Sequence, residues 1–218
     1  LMACNAGPDI IEDGLVFCVD AANINSYPQS GTTWTDVVGK TSCTLTNYGA
    51  NPTFNSANGG SVILDGTDDY ITTNGVTKTA DCTFSCWATW SGSQLRMLFN
   101  AGPANSGPDL FFYQGKISWN TWDGSSNAFA NIPSSASDGN FHQYVLVNDS
   151  SSTAKLYYDG DLLGTATYRS AASTTTLLLG AGPGYIWQGK IANFMVHNKL
   201  LSEDEIRQNY EATVGRFT

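Results

Sequence analysis

Hydrophobic positions along this chain come in short bursts separated by turn residues. The clearest burst runs from Phe141 to Tyr168, where Tyr144–Val147 and Leu156–Tyr158 flank a polar Asn-Asp-Ser-Ser-Ser stretch. A third run follows Asp159-Gly160, a dipeptide suited to a tight hairpin because glycine takes positive φ without steric cost. Tyr-Val-Leu-Val is apolar on consecutive positions, which predicts a central strand covered on both faces.

The same grammar recurs elsewhere. Gly14–Ala21 reads as the first strand, and Ser61–Leu64 as a short buried strand turned by Asp65-Gly66 into Tyr70–Thr73. Cys82–Trp90 alternates, so Cys82, Phe84, Cys86, Ala88 and Trp90 share one face while Thr83, Ser85, Trp87 and Thr89 take the other. Arg96–Asn100, Leu110–Gln114, Lys116–Trp122, Thr175–Leu179 and Gly189–His197 supply further strands, and Thr41–Tyr48 a weaker one. Asn23–Lys40 reads as a long surface loop pinned by Trp34. At the end, Ser202 can cap a helix with Glu205 reaching back to it, Leu201 can staple onto Ile206, and Gly215 can close the helix in the left-handed conformation. About a dozen short strands and one terminal helix predict an all-β, two-sheet antiparallel sandwich with a short C-terminal helix. Residues 1–13 are expected as an N-terminal arm and 14–218 as one domain.

Composition narrows the partners. A net charge of -9 argues against nucleic acid, which needs a basic face to release counterions. The ten Lys and Arg are scattered, and no apolar run reaches membrane-spanning length, so no membrane is expected. The opening LMACNAGPDIIEDG has neither the basic nor the apolar region of a signal peptide. The chain has five cysteines, an odd number; Cys82 and Cys86 would stand roughly 13 Å apart in an extended strand, too far to bond. Free, mostly buried thiols made in a reducing cytoplasm are expected. Two histidines are too few to make zinc a good reading.

Four segments together resemble a known family: DGLVFCVDAANINSYPQSGTTWTDVVG, VILDGTDDYI, the FHQYVLVND…AKLYYDG hairpin and GKIANFMVHNKLLSEDEIRQNYEATVGRF. They are similar to laminin-G-like, concanavalin A-like jelly-roll domains of tailed-bacteriophage structural proteins. The resemblance implies a virion structural, decoration or fibre module, assembled in the host cytoplasm beside other virion proteins. It also implies many copies or a homo-oligomer, and adhesion to host-surface glycans. Such folds often carry calcium, for which Asp65, Gly66 and Asp68 are the local candidates and Asp20 a partner from the first strand. The alternative is that these acids simply build turns. Many relatives carry an acid after Gly-Lys-Ile in the last strand, where this chain has Ala192 and Asn193, which weakens such a site.

Enzymatic chemistry is not expected. Glucanases of this fold set Glu-x-Asp-x-Glu along one strand face, whereas the glutamates here are Glu12, Glu203, Glu205 and Glu211, and no strand carries the pattern. Gly-x-Ser-x-Gly is absent. His142 is expected to satisfy a hydrogen bond at a sheet end, and His197 to lie on the surface. Sugar binding is the better small-ligand reading, because sugar C–H faces stack on exposed aromatics. Tyr113, Trp119, Trp122, Tyr185 and Trp187 are the candidates, against the alternative that Trp119 and Trp187 fill the core. A carbohydrate-binding module of a bacterial extracellular protein is the alternative to a virion protein.

Overall fold

A strand apolar on consecutive positions needs cover on both sides, and the architecture supplies two layers plus a strap. The computed structural model describes residues 9–46, 51–73, 75–91, 94–102, 108–113, 116–119, 128–131, 134–151, 153–167, 176–182 and 185–218. In chain order the strands are β1 (Leu15–Asp20), β2 (Thr33–Thr35), β3 (Ser42–Thr46), β4 (Thr53–Asn55), β5 (Ser61–Asp65) and β6 (Tyr70–Thr73). Next come β7 (Cys82–Thr89), β8 (Arg96–Asn100), β9 (Asp109–Tyr113), β10 (Lys116–Trp119), β11 (Ala128–Asn131) and β12 (Phe141–Asn148). The chain continues with β13 (Thr153–Tyr158), β14 (Asp161–Thr167), β15 (Leu177–Leu179), β16 (Ala181–Gly182), β17 (Tyr185–Ile186), β18 (Gln188–His197) and helix α1 (Glu203–Val214).

One sheet runs β14-β13-β12-β7-β18-β5-β4, and the other β11-β10-β9-β8-β15-β6-β3-β2. Neighbouring strands pair antiparallel. β18 is long enough to hold β5 along Gln188–Ile191 and β1 along Asn193–His197, both on its side away from β7. This is the expected sandwich. β2, β4 and β11 extend it beyond the strands that periodicity marks, because three or four residues are too few to show a period.

The core lies between the sheets. β7 turns Cys82, Phe84, Cys86 and Ala88 into it, as alternation predicts. Phe112 of the second sheet packs there with the rings of Trp90, Tyr144 and Trp187 at 5.0, 5.3 and 5.0 Å. Each such contact contributes roughly 0.5–1.5 kcal/mol beyond area burial. The 23–40 segment is exposed over most of its length and pinned by Trp34, as expected, but it also forms β2 and buries more than that one ring. Tyr27 and Trp34 are buried in this core, and Asp36 is fully buried. The Asp36 carboxylate accepts from the amides of Cys18, Val38 and Gly39 at 2.8, 2.9 and 2.7 Å, tying that segment to β1.

The outer face of the first sheet is covered by the C-terminus. Ser202 accepts from the Glu205 amide while the Glu205 carboxylate accepts from the Ser202 amide, closing the predicted capping box. Leu201 and Ile206 pack with Val145, Val147 and Tyr157. Trp87 stacks on Phe217 at 4.3 Å and donates its indole N–H to Thr213 Oγ1 at 2.9 Å. Gly215 ends the helix in right-handed geometry (φ -59, ψ -14), not left-handed, because the chain continues as a tight turn that carries Arg216 inward. There Arg216 Nη1 meets both oxygens of the buried Asp20 at 2.8 and 3.0 Å, Nε donates to Asn58 O at 2.6 Å, and Nη2 donates to Gly60 O.

Two further expectations are corrected. His197 is fully buried, and its Nε2–H donates to Ile11 O at 2.9 Å, holding the incoming segment against the last strand. Cys43, Cys82 and Cys86 are free and buried, and burial pushes the thiols of Cys43 and Cys82 up to about 12. Cys18, however, is disulfide-bonded, to a partner outside the described residues, so the thiols are not all free.

Removing one member of a buried ion pair strands a charge. Arg216→Met should therefore cost about 3–5 kcal/mol in urea unfolding, and adding Asp20→Asn should recover more than half of it. A second test concerns Asp109, opposite Asn100 in the second sheet, whose Oδ1 is buried without a partner. Burial holds this carboxyl up at about 8. The unfolded chain ionises near 3.9, so stability falls as pH rises from there to about 8. Asp109→Asn should leave stability near pH 4 unchanged and raise it by roughly 3–5 kcal/mol above pH 8.

Candidate functional site

Strand registers gather the polar chemistry at one end of the sandwich. Asp65 ends β5 opposite Gln188, which starts β18. Phe141 starts β12 opposite Thr89 at the end of β7, and Tyr158 ends β13 opposite Asp161. In the other sheet, Arg96 starts β8 opposite Phe112, and Tyr113 ends β9 opposite Lys116. Arg96 joins the sheets by donating to Gly66 O at 3.3 Å and to Gln188 Oε1 at 3.4 Å.

The β5–β6 turn carries the acids. Asp65 Oδ1 accepts from the amides of Thr67 and Asp68 at 2.7 and 3.3 Å, and Asp69 Oδ2 accepts from the Asp65 amide at 3.1 Å. Gly66 sits at φ +81, where a side chain would also meet Gln188 Cβ at 2.6 Å. Asp65, Asp68 and Asp69 each offer a carboxylate oxygen within 4.8 Å of the other two. Asp69 is 3% exposed and its Oδ1 has no hydrogen bond. Burial first, and then the neighbouring charges of Asp65 and Asp68, push its carboxyl above the usual range, against the Asp65 amide.

The calcium set read from the sequence therefore changes. Asp20 is committed to Arg216, whose guanidinium supplies the positive charge a metal would bring. The Gly66 carbonyl accepts from Arg96. Asp69, adjacent to Asp68, is the member that spacing alone did not single out. Ala192 and Asn193 are buried in the sheet, with Asn193 Oδ1 accepting from the Trp87 amide at 3.2 Å.

An exposed aromatic lies three residues before Gln188. The β16–β17 hairpin packs along β8, with Gly182 close against Met97, and leaves Tyr185 41% exposed. Arg96, the first residue of β8, also donates to Gln94 Oε1 at 3.0 Å, which with Gln188 makes a patch of guanidinium and side-chain amides. Trp187, two residues on, is corrected as a sugar contact. It is fully buried against Phe112 and has no free face. Tyr113 belongs to the same end, whereas Trp119 ends β10 opposite Leu110, towards the far end. The side chains of Tyr113 and Trp119, and the whole of Trp122, lie outside the described residues.

A second polar cluster occupies the same end. His142 Nδ1 lies 2.7 Å from Asp159 Oδ2 and 2.7 Å from the Tyr158 hydroxyl, and Nε2 lies 3.3 Å from Asp138 Oδ1. The ring stacks on Tyr158 at 5.0 Å. Asp159 and Gly160 both take positive φ, as the hairpin dipeptide predicts. Burial alone would push the imidazole down, but hydrogen bonds and charge from Asp159, then Asp138, outweigh it and hold its pKa above the ordinary value. The expected sheet-end role for His142 is thus a two-carboxylate clasp. Its partners come from separate turns, which local spacing does not connect.

Residues 65–207, well over half of the chain, match the model of the concanavalin A-like lectin/glucanases superfamily. No curated protein matches the chain in sequence. Among solved structures, the binding domain of botulinum neurotoxin serotype D superposes with a TM-score of 0.72 at 18% identity, over 94% of this chain and 53% of that one. The serotype D ligand-binding domain in complex with N-acetylneuraminic acid gives 0.74 at 18% identity, over 94% and 52%. The binding domain of botulinum neurotoxin DC in complex with rat synaptotagmin II gives 0.72 at 13% identity, over 93% and 52%. The chain spans about half the length of these structures. At such identities the likeness shows the fold.

His142 should titrate above its model-peptide value near 6.5 in an NMR pH series, and Asp159→Asn should lower that midpoint. Asparagine tolerates the positive φ at this position. Because the folded pKa is the raised one, the clasp stabilises fully below about 6.5 and is lost as pH rises through the folded value. The stability difference between wild type and Asp159→Asn should shrink across that rise.

Proposed function

The chain belongs to the concanavalin A-like lectin/glucanases superfamily, and we propose that within it this protein is a non-enzymatic binding module that holds glycans at the Tyr185 end of its sandwich. The observation that carries this reading is an exposed tyrosine on the strand that packs along β8, whose first residue, Arg96, bonds Gln94 and Gln188. Sugar recognition combines an aromatic face for C–H stacking with planar donors and acceptors for hydroxyls. A solved structure of the same fold holding N-acetylneuraminic acid supports the choice of ligand class. The acids support a binding role over hydrolysis, since Glu203 and Glu205 lie in the first turn of α1 and Asp20 is paired.

In the finer form of this proposal, the module is displayed in many copies on a tailed-phage particle and adheres to host-surface glycans. The resemblance of its opening and closing segments supports that setting. The net charge of -9 favours solubility of a densely displayed domain. A second reading, a carbohydrate-binding module of a bacterial extracellular protein, is favoured by the Cys18 disulfide, because such bonds persist outside reducing compartments. Virion surfaces meet the same condition. Antibody labelling of intact particles, against recovery from culture supernatant alone, separates the two.

On a glycan array the protein should bind a restricted set of host polysaccharides. Tyr185→Ala should weaken that binding about threefold to tenfold, the worth of one stacking contact. Uniformly flat signal across host polysaccharides would end the proposal.

A further inference from the structure

The outer face of the second sheet carries two polar side chains that the fold leaves unused. Leu110 and Phe112 of β9 point into the core, so Asp109 and Phe111 point away from it. Asn100 lies opposite Asp109, and Leu178 lies opposite Asn100 on its other side, so these three share the outer face. Asn100 spends Oδ1 on the Gly102 amide at 3.2 Å, and its Nδ2 donates to no described residue. Neither oxygen of Asp109 accepts a hydrogen bond from a described residue, and Oδ1 is buried. Asp69 differs, because its second oxygen serves the Asp65 amide. Asp109 therefore builds no turn and pairs with no described base, while its burial lowers stability as pH rises. A residue that lowers stability and holds nothing else in place is the kind retained for binding.

The same face reaches the exposed tyrosine. Met97 points outward opposite Phe111, and Gly182 lies close against its side chain. Gly182 pairs with Tyr185, so the hairpin that carries the exposed ring lies on the side of β8 where Asn100 and Asp109 are found. Arg96 and Asn100, the two ends of β8, stand about 13 Å apart at roughly 3.3 Å per residue. That separation exceeds the length of a single sugar ring.

We propose that this face holds a glycan as a chain along β8, stacked on Tyr185 at one end, with one of its hydroxyls donating to Asp109 and accepting from Asn100 Nδ2 at the other. A hydroxyl is donor and acceptor at once, so one group satisfies both side chains. Half-buried Leu178 leaves apolar surface beside the pair for a sugar C–H face. The inference rests on glycan binding at the Tyr185 end and adds the ligand class: an oligosaccharide, not a terminal sugar.

The test takes the polysaccharide that gives signal on the glycan array, cut into graded oligomers from the single sugar upward, and measures their binding to the full chain by calorimetry. Affinity should rise at least about tenfold from the single sugar to the longest oligomer. Asp109→Leu should weaken the longest oligomer about threefold to tenfold, the worth of one hydrogen bond, and leave the single sugar unchanged. Asp109→Asn keeps an acceptor and should restore binding. Because Asp109 makes no hydrogen bond to lose, Asp109→Leu should unfold at no lower temperature than wild type. Should it fold poorly, the wild-type Asn100 side-chain amide resonance gives the reading: it should shift with the longest oligomer and stay in place with the single sugar. Affinity independent of length, equal binding by Asp109→Leu at every length, or an unmoved Asn100 amide would overturn the chain along β8 and leave stacking on Tyr185 standing. A flat array would instead remove the glycan reading itself.

Discussion

The fold depends on a buried carboxylate that water cannot reach. Asp20, at the end of the first strand, is 1% exposed, and the residue that neutralises it lies almost at the other terminus. For Arg216 to arrive there, α1 must lie across the outer face of the first sheet and the chain must turn tightly after it. Burial pushes the Asp20 carboxyl up and Arg216 pulls it back, leaving it raised. The pair is thus a closure requirement more than a reservoir of stability, since buried pairs return little over well-packed apolar residues. The same guanidinium satisfies two carbonyls of the Asn58–Gly60 turn, so one side chain ties β1, the β4–β5 connection and the C-terminus together.

That closure explains why the centre of the first sheet is buried on both faces. β7 places Cys82, Phe84, Cys86 and Ala88 in the core and Thr83, Ser85, Trp87 and Thr89 outward, yet every one of these is buried. The outward row would be wet on a one-sided sheet. Here Trp87 is roofed by Tyr210 and Phe217, and its N–H finds Thr213. A tryptophan facing away from the inter-sheet core is tolerated only because the helix brings a second apolar layer to it.

With both faces of one sheet committed to packing, the ends of the sandwich carry the polar chemistry described here. Loops there answer to fewer packing constraints than strands do, which is where binding groups can accumulate. One end holds the Asp65–Asp69 turn, the Arg96–Gln188 bridge, Tyr185 and the His142 clasp. These come from six different connections, and it is antiparallel pairing that makes them neighbours.

Much of this was legible in the sequence. Period-2 alternation over Cys82–Trp90 assigned each side chain to its face, consecutive apolar residues marked β12 as central, and Ser202 with Glu205 announced the helix. These rest on local chemistry: a pleat, a hairpin dipeptide, a capping box. What the sequence could not decide were pairings between distant residues. It offered Asp20 as a calcium ligand, whereas the fold brings Arg216 to it across 196 positions. It offered Trp187 and Tyr185 as equal sugar contacts, and only packing against Phe112 separates the buried ring from the exposed one. It read His197 as surface because nothing nearby in sequence shows that Ile11 will cover it. Backbone preference is written residue by residue, so the strands and the cap could be read in order. Which charge meets which, and which ring stays wet, is set when the layers close.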